Sequence, residues 1–112
     1  MSEVKLIIQD RDGKKNNVFA PTDMAMNLME VIRSYNLAAE GTIGICGGMA
    51  MCASCQCYIK TKNINLPTIT EDEEAMLSEA FNVKENSRLS CQIPITNEIN
   101  GLEIIIAPEE EL

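Results

Sequence analysis

Hydrophobic and polar positions along the chain divide it into short regular segments around one irregular stretch. Residues 4–9 are apolar and rich in β-branched side chains. The polar run Asp10-Arg11-Asp12-Gly13 then interrupts, and residues 17–20 resume the apolar pattern, which predicts an N-terminal β-hairpin ended by Pro21-Thr22-Asp23. From Asn27 onward Leu28, Met29, Val31, Ile32 and Tyr35 recur at helical spacing, so a core-covering helix is expected over residues 27–35. Periodicity disappears over residues 40–55, where Gly41, Gly44, Gly47, Gly48, Ala50, Ala53 and Ser54 surround cysteines. A strand is expected at 56–60, and Pro67 closes the linker after it. Thr70-Glu71-Asp72-Glu73 reads as a capping box opening a second helix to about residue 80. Residues 88–95 and 102–107 read as two further strands, with Asn100-Gly101 turning before the last, and Glu109-Glu110-Glu111 as a solvated tail.

The predicted order is strand, strand, helix, loop, strand, helix, strand, strand. Without regular βαβ alternation this argues for an α+β fold around one mixed sheet. No repeat, low-complexity block or boundary divides residues 1–112, so one domain is expected.

Composition narrows the chemistry. A chain of 112 residues can bury a real core without staples. With two Tyr, two Phe and no Trp, that core must consist of aliphatic and Met side chains. There is no histidine, which removes the commonest general base and the commonest zinc ligand. Seventeen acidic residues against nine basic give a formal charge of −8, which disfavours nucleic acid and anionic membrane surfaces and favours basic protein partners. The start Met-Ser-Glu-Val-Lys has no secretory pattern, and no apolar run is long enough to span a bilayer. A soluble cytoplasmic monomer is the default expectation.

Five cysteines, three of them within residues 52–57, point in a non-secreted chain to metal or redox chemistry rather than disulfides. The spacing is Cys46-x5-Cys52-x2-Cys55-x35-Cys91. A [2Fe–2S] cluster needs four thiolates. Three on a tight loop and one remote match the plant-type arrangement except for one extra residue in the first gap. Gly44, Gly47 and Gly48 let the backbone approach an anionic cluster closely and offer its sulfurs N–H donors. Zinc remains a weaker alternative, because a structural site ordinarily adds a second Cys-x2-Cys or paired histidines. A thioredoxin-like dithiol would leave Cys46 and Cys91 unexplained, and buried free thiols suit a glycine-rich loop poorly. Cys57 is surplus. It reads as a small apolar strand residue, with a substitute-ligand role as the sharper alternative.

Two stretches carry a family likeness: Cys46-Gly47-Gly48-Met49-Ala50-Met51-Cys52-Ala53-Ser54-Cys55 and Ser87-Arg88-Leu89-Ser90-Cys91-Gln92-Ile93. With them the chain resembles the adrenodoxin-type (vertebrate and bacterial) [2Fe–2S] ferredoxins from about residue 4 to 107. The resemblance implies a β-grasp (ubiquitin-like) fold and a [2Fe–2S] cluster on Cys46, Cys52, Cys55 and Cys91. It also implies a one-electron shuttle, not an enzyme. Electrons would pass from an NAD(P)H-dependent flavoprotein ferredoxin reductase to a cytochrome P450 or the iron–sulfur assembly machinery. All-cysteine ligation should hold the potential well below that of Rieske centres. Glu71, Asp72, Glu73 and Glu74 match the family's acidic recognition helix. Three positions depart: Gln56 stands where His is frequent, Ala75 and Ser78 replace carboxylates of the adrenal protein, and Leu112 replaces a terminal aromatic of some P450-dedicated members.

Acids in a first helical turn complement the helix dipole by about 0.3–1 kcal/mol each, so capping alone explains part of this run. Four in succession also suit electrostatic steering to Lys/Arg-rich partners. Two Fe(III), two sulfides and four thiolates add −2, giving −8 − 2 = −10 oxidised and −11 reduced. Two rival functions remain at this point: a structural zinc-binding adaptor and a cluster-based redox sensor.

Overall fold

The computed structural model describes residues 3–37, 56–61, 64, 66–78 and 83–107. Five strands and two helices appear among them: β1 Glu3–Gln9, β2 Lys15–Pro21, α1 Leu28–Ser34, β3 Gln56–Ile59, α2 Glu71–Ser78, β4 Ser87–Leu89 and β5 Glu103–Ile106. They form one sheet in the order β2-β1-β5-β3-β4. β1 runs antiparallel to β2 and parallel to β5, while β3 is antiparallel to both β5 and β4. The expected mixed sheet and α+β class are therefore present.

The hairpin forms because strand period and turn chemistry agree. Val4, Leu6 and Ile8 alternate inward along β1 and Val18 and Ala20 along β2, fixing the register Leu6↔Val18. Asp10 organises the turn, its Oδ1 accepting from the Asp12 and Lys14 amides at 3.0 Å each. Gly13 takes the left-handed conformation (φ +87°) that the turn requires. The amide of Lys14 chiefly, aided by the Asn16 side chain, holds the Asp10 carboxyl below its usual pKa.

α1 is short and therefore depends on its ends and its buried face. Asn27 caps it in a reciprocal box. Asn27 Oδ1 accepts from the Glu30 amide (2.9 Å), and the Glu30 carboxylate accepts from the Asn27 amide (3.0 Å). At the other end Asn36 adopts φ +54°. The Leu37 amide donates to Ile32 O and the Asn36 amide to Arg33 O, a Schellman closure with asparagine in the glycine position. Leu28, Met29, Val31 and Ile32 cover the sheet, and the Tyr35 hydroxyl donates to Phe19 O on β2 (2.8 Å). The closure directs the chain out of α1 just before the cysteine-bearing stretch.

One sequence expectation is corrected here. The expected strand over residues 88–95 ends at Leu89, because the backbone folds into a 3-10 turn at Ser90–Gln92, with the Ile93 amide bonded to Ser90 O (3.3 Å). Pro94 has no N–H to continue a ladder. The apolar periodicity that suggested a strand reflects Ile93 and Ile95 being buried side by side in the core. Asn100-Gly101 turns as expected, with Gly101 at φ +89°, and β5 then pairs with β1 and β3. The aliphatic core runs from Leu6, Ile8 and Leu28 through Ile93, Ile99, Ile104 and Ile106, all essentially inaccessible to solvent. Among the described residues no helix is long and apolar enough to cross a membrane.

Candidate metal centre

Of the four cysteines singled out by spacing, Cys91 lies among the described residues, and Cys46, Cys52 and Cys55 lie outside them. Cys91 sits in the 3-10 turn directly after β4 and is buried. The segment bearing it is held on both sides. In front, β4 pairs with β3 through Gln56↔Leu89, Cys57↔Arg88 and Tyr58↔Ser87. Behind, the Leu28 amide donates to Ile93 O and the Ile95 amide to Met26 O, both at 2.9 Å, so the start of α1 grips the chain just past Cys91. The ladder relates the two cysteine motifs: Gln56 follows Cys55 in sequence, and its partner Leu89 stands two residues before Cys91.

Polar groups around Cys91 suit an anionic sulfur centre. The Gln92 side-chain amide donates to Cys91 Sγ at 3.4 Å. Ser90 is fully buried, and its Oγ finds no hydrogen-bond partner among the described residues. Leaving a buried hydroxyl unpaired costs about 1–3 kcal/mol, so an acceptor for the Ser90 hydroxyl is expected. Iron–sulfur sulfurs are such acceptors. The donor set and the orphaned hydroxyl fit a cluster held by thiolates.

Cys57 is completely buried in the same apolar cluster as Cys91, Leu89 and Ile106. Desolvation pushes its thiol up to about 12, against a smaller lowering by Arg88. It is therefore a neutral packing group, as the duller sequence reading had it. Gln56, in the position where the family often has His, is buried, and its backbone carbonyl accepts from the Ala107 amide at 3.1 Å.

The acidic helix divides into two functions. Glu71, Asp72 and Glu74 are exposed on α2. Glu73, expected among the docking residues, is instead wholly buried. Its carboxylate binds Arg88 bidentately (Oε2 to Nε 2.7 Å, Oε1 to NH2 3.1 Å) and accepts from the Leu89 amide at 3.0 Å. The helical period explains the correction. Glu73 lies four residues before buried Leu77, so both fall on the inward face. The capping box is consequently half-formed: Thr70 Oγ1 accepts from the Glu73 amide (3.2 Å), while the Glu73 carboxylate reaches across to β4. Pattern reasoning missed the ion pair because Arg88 lies 15 residues away; an acid at an inward helical position was the available signal. Ala75 and Ser78 are exposed and uncharged, so the exposed acids of α2 all lie in its first turn.

With this geometry in view, similarity to known proteins decides the cofactor. The family described as "2Fe-2S iron-sulfur cluster binding domain" matches residues 22–96. Rhodocoxin of Rhodococcus erythropolis is 35% identical over 103 residues, covering 90% of this chain and 92% of that protein. The chain belongs to the adrenodoxin-type [2Fe–2S] ferredoxins. A 2Fe-2S ferredoxin of Rickettsia conorii is 34% identical over 105 residues, covering 93% of this chain and 89% of that one. A variant of putidaredoxin, an Fe2S2 ferredoxin, superposes with TM-score 0.80 at 29% identity, covering 96% of this chain and 99% of that chain. A covalent complex of putidaredoxin reductase and putidaredoxin also matches (TM-score 0.74, 31% identity, 91% and 96% covered). As a ferredoxin the protein has a β-grasp fold, carries a [2Fe–2S] cluster and acts as an electron carrier rather than an enzyme. Zinc is thereby set aside.

Proposed function

We propose that this ferredoxin binds its cluster through Cys46, Cys52, Cys55 and Cys91 and moves single electrons from an NAD(P)H-dependent flavoprotein reductase to a protein acceptor, a cytochrome P450 or the iron–sulfur assembly machinery. The observation that carries the reading is the β3–β4 ladder. Pairing of Gln56 with Leu89 joins the sequence neighbours of the loop cysteines and of the distant one at one end of the sheet. When bound, the cluster supplies a one-electron couple, and no proton need move with it. Cys91 enters this arrangement buried, with the Gln92 side-chain amide donating to its sulfur.

Exposed Glu71, Asp72 and Glu74 are the proposed docking acids. They are held by α2, which the Glu73–Arg88 pair fastens to β4, three residues before Cys91 and on the same short segment. An acidic surface so placed attracts a basic partner toward the cluster side of the molecule by long-range steering, with rapid, salt-sensitive association. The likeness to putidaredoxin, which forms a complex with its reductase, supports a flavoprotein donor.

The experiment is anaerobic titration of the purified protein with NAD(P)H and the ferredoxin reductases of its own organism, followed by visible absorption. Bleaching of the cluster bands, with electrons passed on to added acceptor, is expected. Failure of every such reductase to reduce a cluster that dithionite does reduce would overturn the donor assignment. Reduction without onward transfer to any acceptor would favour a redox sensor.

A further inference from the structure

Ser90 and Gln92 flank buried Cys91, and each carries a hydrogen-bond donor on its side chain. Gln92 has a visible sulfur acceptor in Cys91. Ser90 does not: it is fully buried, yet its Oγ has no partner among the described residues. The obvious local outlets are closed or unused. Ser90 O accepts from the Ile93 amide, and the neighbouring Leu89 amide donates to Glu73. The buried side chains adjoining Ser90 in sequence and just beyond, Leu89 and Ile93, are apolar. A buried hydroxyl persists at such a place when its acceptor is supplied by something the fold binds there.

We propose that the Ser90 hydroxyl donates a hydrogen bond to a sulfur of the bound cluster, a cysteine thiolate or a bridging sulfide, and thereby raises the reduction potential of this ferredoxin. The inference rests on the reading that Cys91 is a cluster ligand. Its physical basis is charge. The electron added on reduction increases negative charge on the sulfurs, so a donor already aimed at one of them stabilises the reduced state more than the oxidised. Burial strengthens the effect, because little water competes for the same sulfur. Ser90 would then set the potential without serving as a ligand. Gln92, only partly buried, would contribute less to the difference.

The test compares Ser90→Ala with Ser90→Thr in the full-length, cluster-loaded protein by spectroelectrochemical titration, with iron and sulfide counted for each sample. Ser90→Ala is expected to shift the midpoint to lower potential at unchanged cluster content, while Ser90→Thr, which keeps the hydroxyl, stays near wild type. Transfer to deuterated buffer should shift the iron–sulfur stretching bands of wild type more than those of Ser90→Ala. An unchanged midpoint in Ser90→Ala, or an equal fall in both variants, would overturn the proposal. Should Ser90→Ala fail to load, Ser90→Gly is read in the same way, and loss of the cluster from both would make Ser90 a packing residue and overturn it too. Two iron and two sulfide per wild-type chain, lost on Cys91→Ala, verifies the ligand reading separately; their absence would sink that reading and leave the Ser90 comparison without its premise.

Discussion

At the scale of single residues, the chemistry here depends on which polar atoms have partners. Asp10 shows the rule in a simple form. Its carboxylate accepts backbone amides in the β1–β2 turn, and its pKa is lowered chiefly by the Lys14 amide. A folded-state pKa below the unfolded one means stability that is present above the ordinary aspartate value, about 3.9, and lost as pH falls through the lower folded value. Asp10→Asn is therefore expected to destabilise the protein near neutrality, with the difference from wild type shrinking below about pH 4. Urea unfolding followed by far-ultraviolet circular dichroism at several pH values checks this; a difference independent of pH would contradict it. The turn itself was readable from Asp10-Arg11-Asp12-Gly13, because short-range hydrogen bonding fixes it. The inward fate of Glu73 was not, because it depends on an arginine that only tertiary structure brings near.

At the scale of elements, each short segment is stabilised by what it meets rather than by its own propensity. α2 carries four acids in its first turn and no basic residue in its last, and only Glu73 and Leu77 are buried along it. The Glu73–Arg88 pair is thus its principal tie to the sheet. Removing one member of a buried ion pair leaves the other charge uncompensated, at about 3–5 kcal/mol. Glu73→Ala is expected to destabilise the fold on that scale, whereas Glu71→Gln, Asp72→Asn and Glu74→Gln should each cost less than about 1 kcal/mol, the dipole contribution of one exposed acid. Thermal or urea unfolding distinguishes these; equal effects at all four positions would contradict the division of the helix. Apolar patterning revealed α1, β1, β2, β3 and β5 correctly in kind, and the Thr70–Glu73 capping pattern revealed α2. It misled over residues 88–95, where buried Ile93 and Ile95 carry a strand-like signature while Ser90–Gln92 turns. That turn is what brings Cys91 out of the ladder, and no local pattern announces it.

At the scale of the whole molecule, a formal charge of −8, deepened by the cluster, is proposed to meet partners through the exposed acids Glu71, Asp72 and Glu74 of α2. Neutralising Glu71, Asp72 and Glu74 together is expected to slow association with the reductase and to flatten its dependence on ionic strength, leaving the cluster spectrum unchanged. Stopped-flow reduction at several salt concentrations measures this, and an undiminished salt dependence would place docking elsewhere. Cofactor class was legible from the sequence, since three cysteines at this spacing on a small-residue loop with a remote fourth have few other uses. The sheet topology was not, because parallel pairing of β1 with β5 joins the two ends of the chain.

The most direct test of the central claim is the iron and sulfide content of five single cysteine-to-alanine variants, with their visible spectra before and after dithionite. Wild type and Cys57→Ala are expected to hold two iron and two sulfide per chain and to bleach on reduction. Cys46→Ala, Cys52→Ala, Cys55→Ala and Cys91→Ala should each lose the [2Fe–2S] spectrum. A variant of those four that keeps a full cluster, or a Cys57→Ala that loses it, would contradict the assignment of Cys46, Cys52, Cys55 and Cys91 as the ligands.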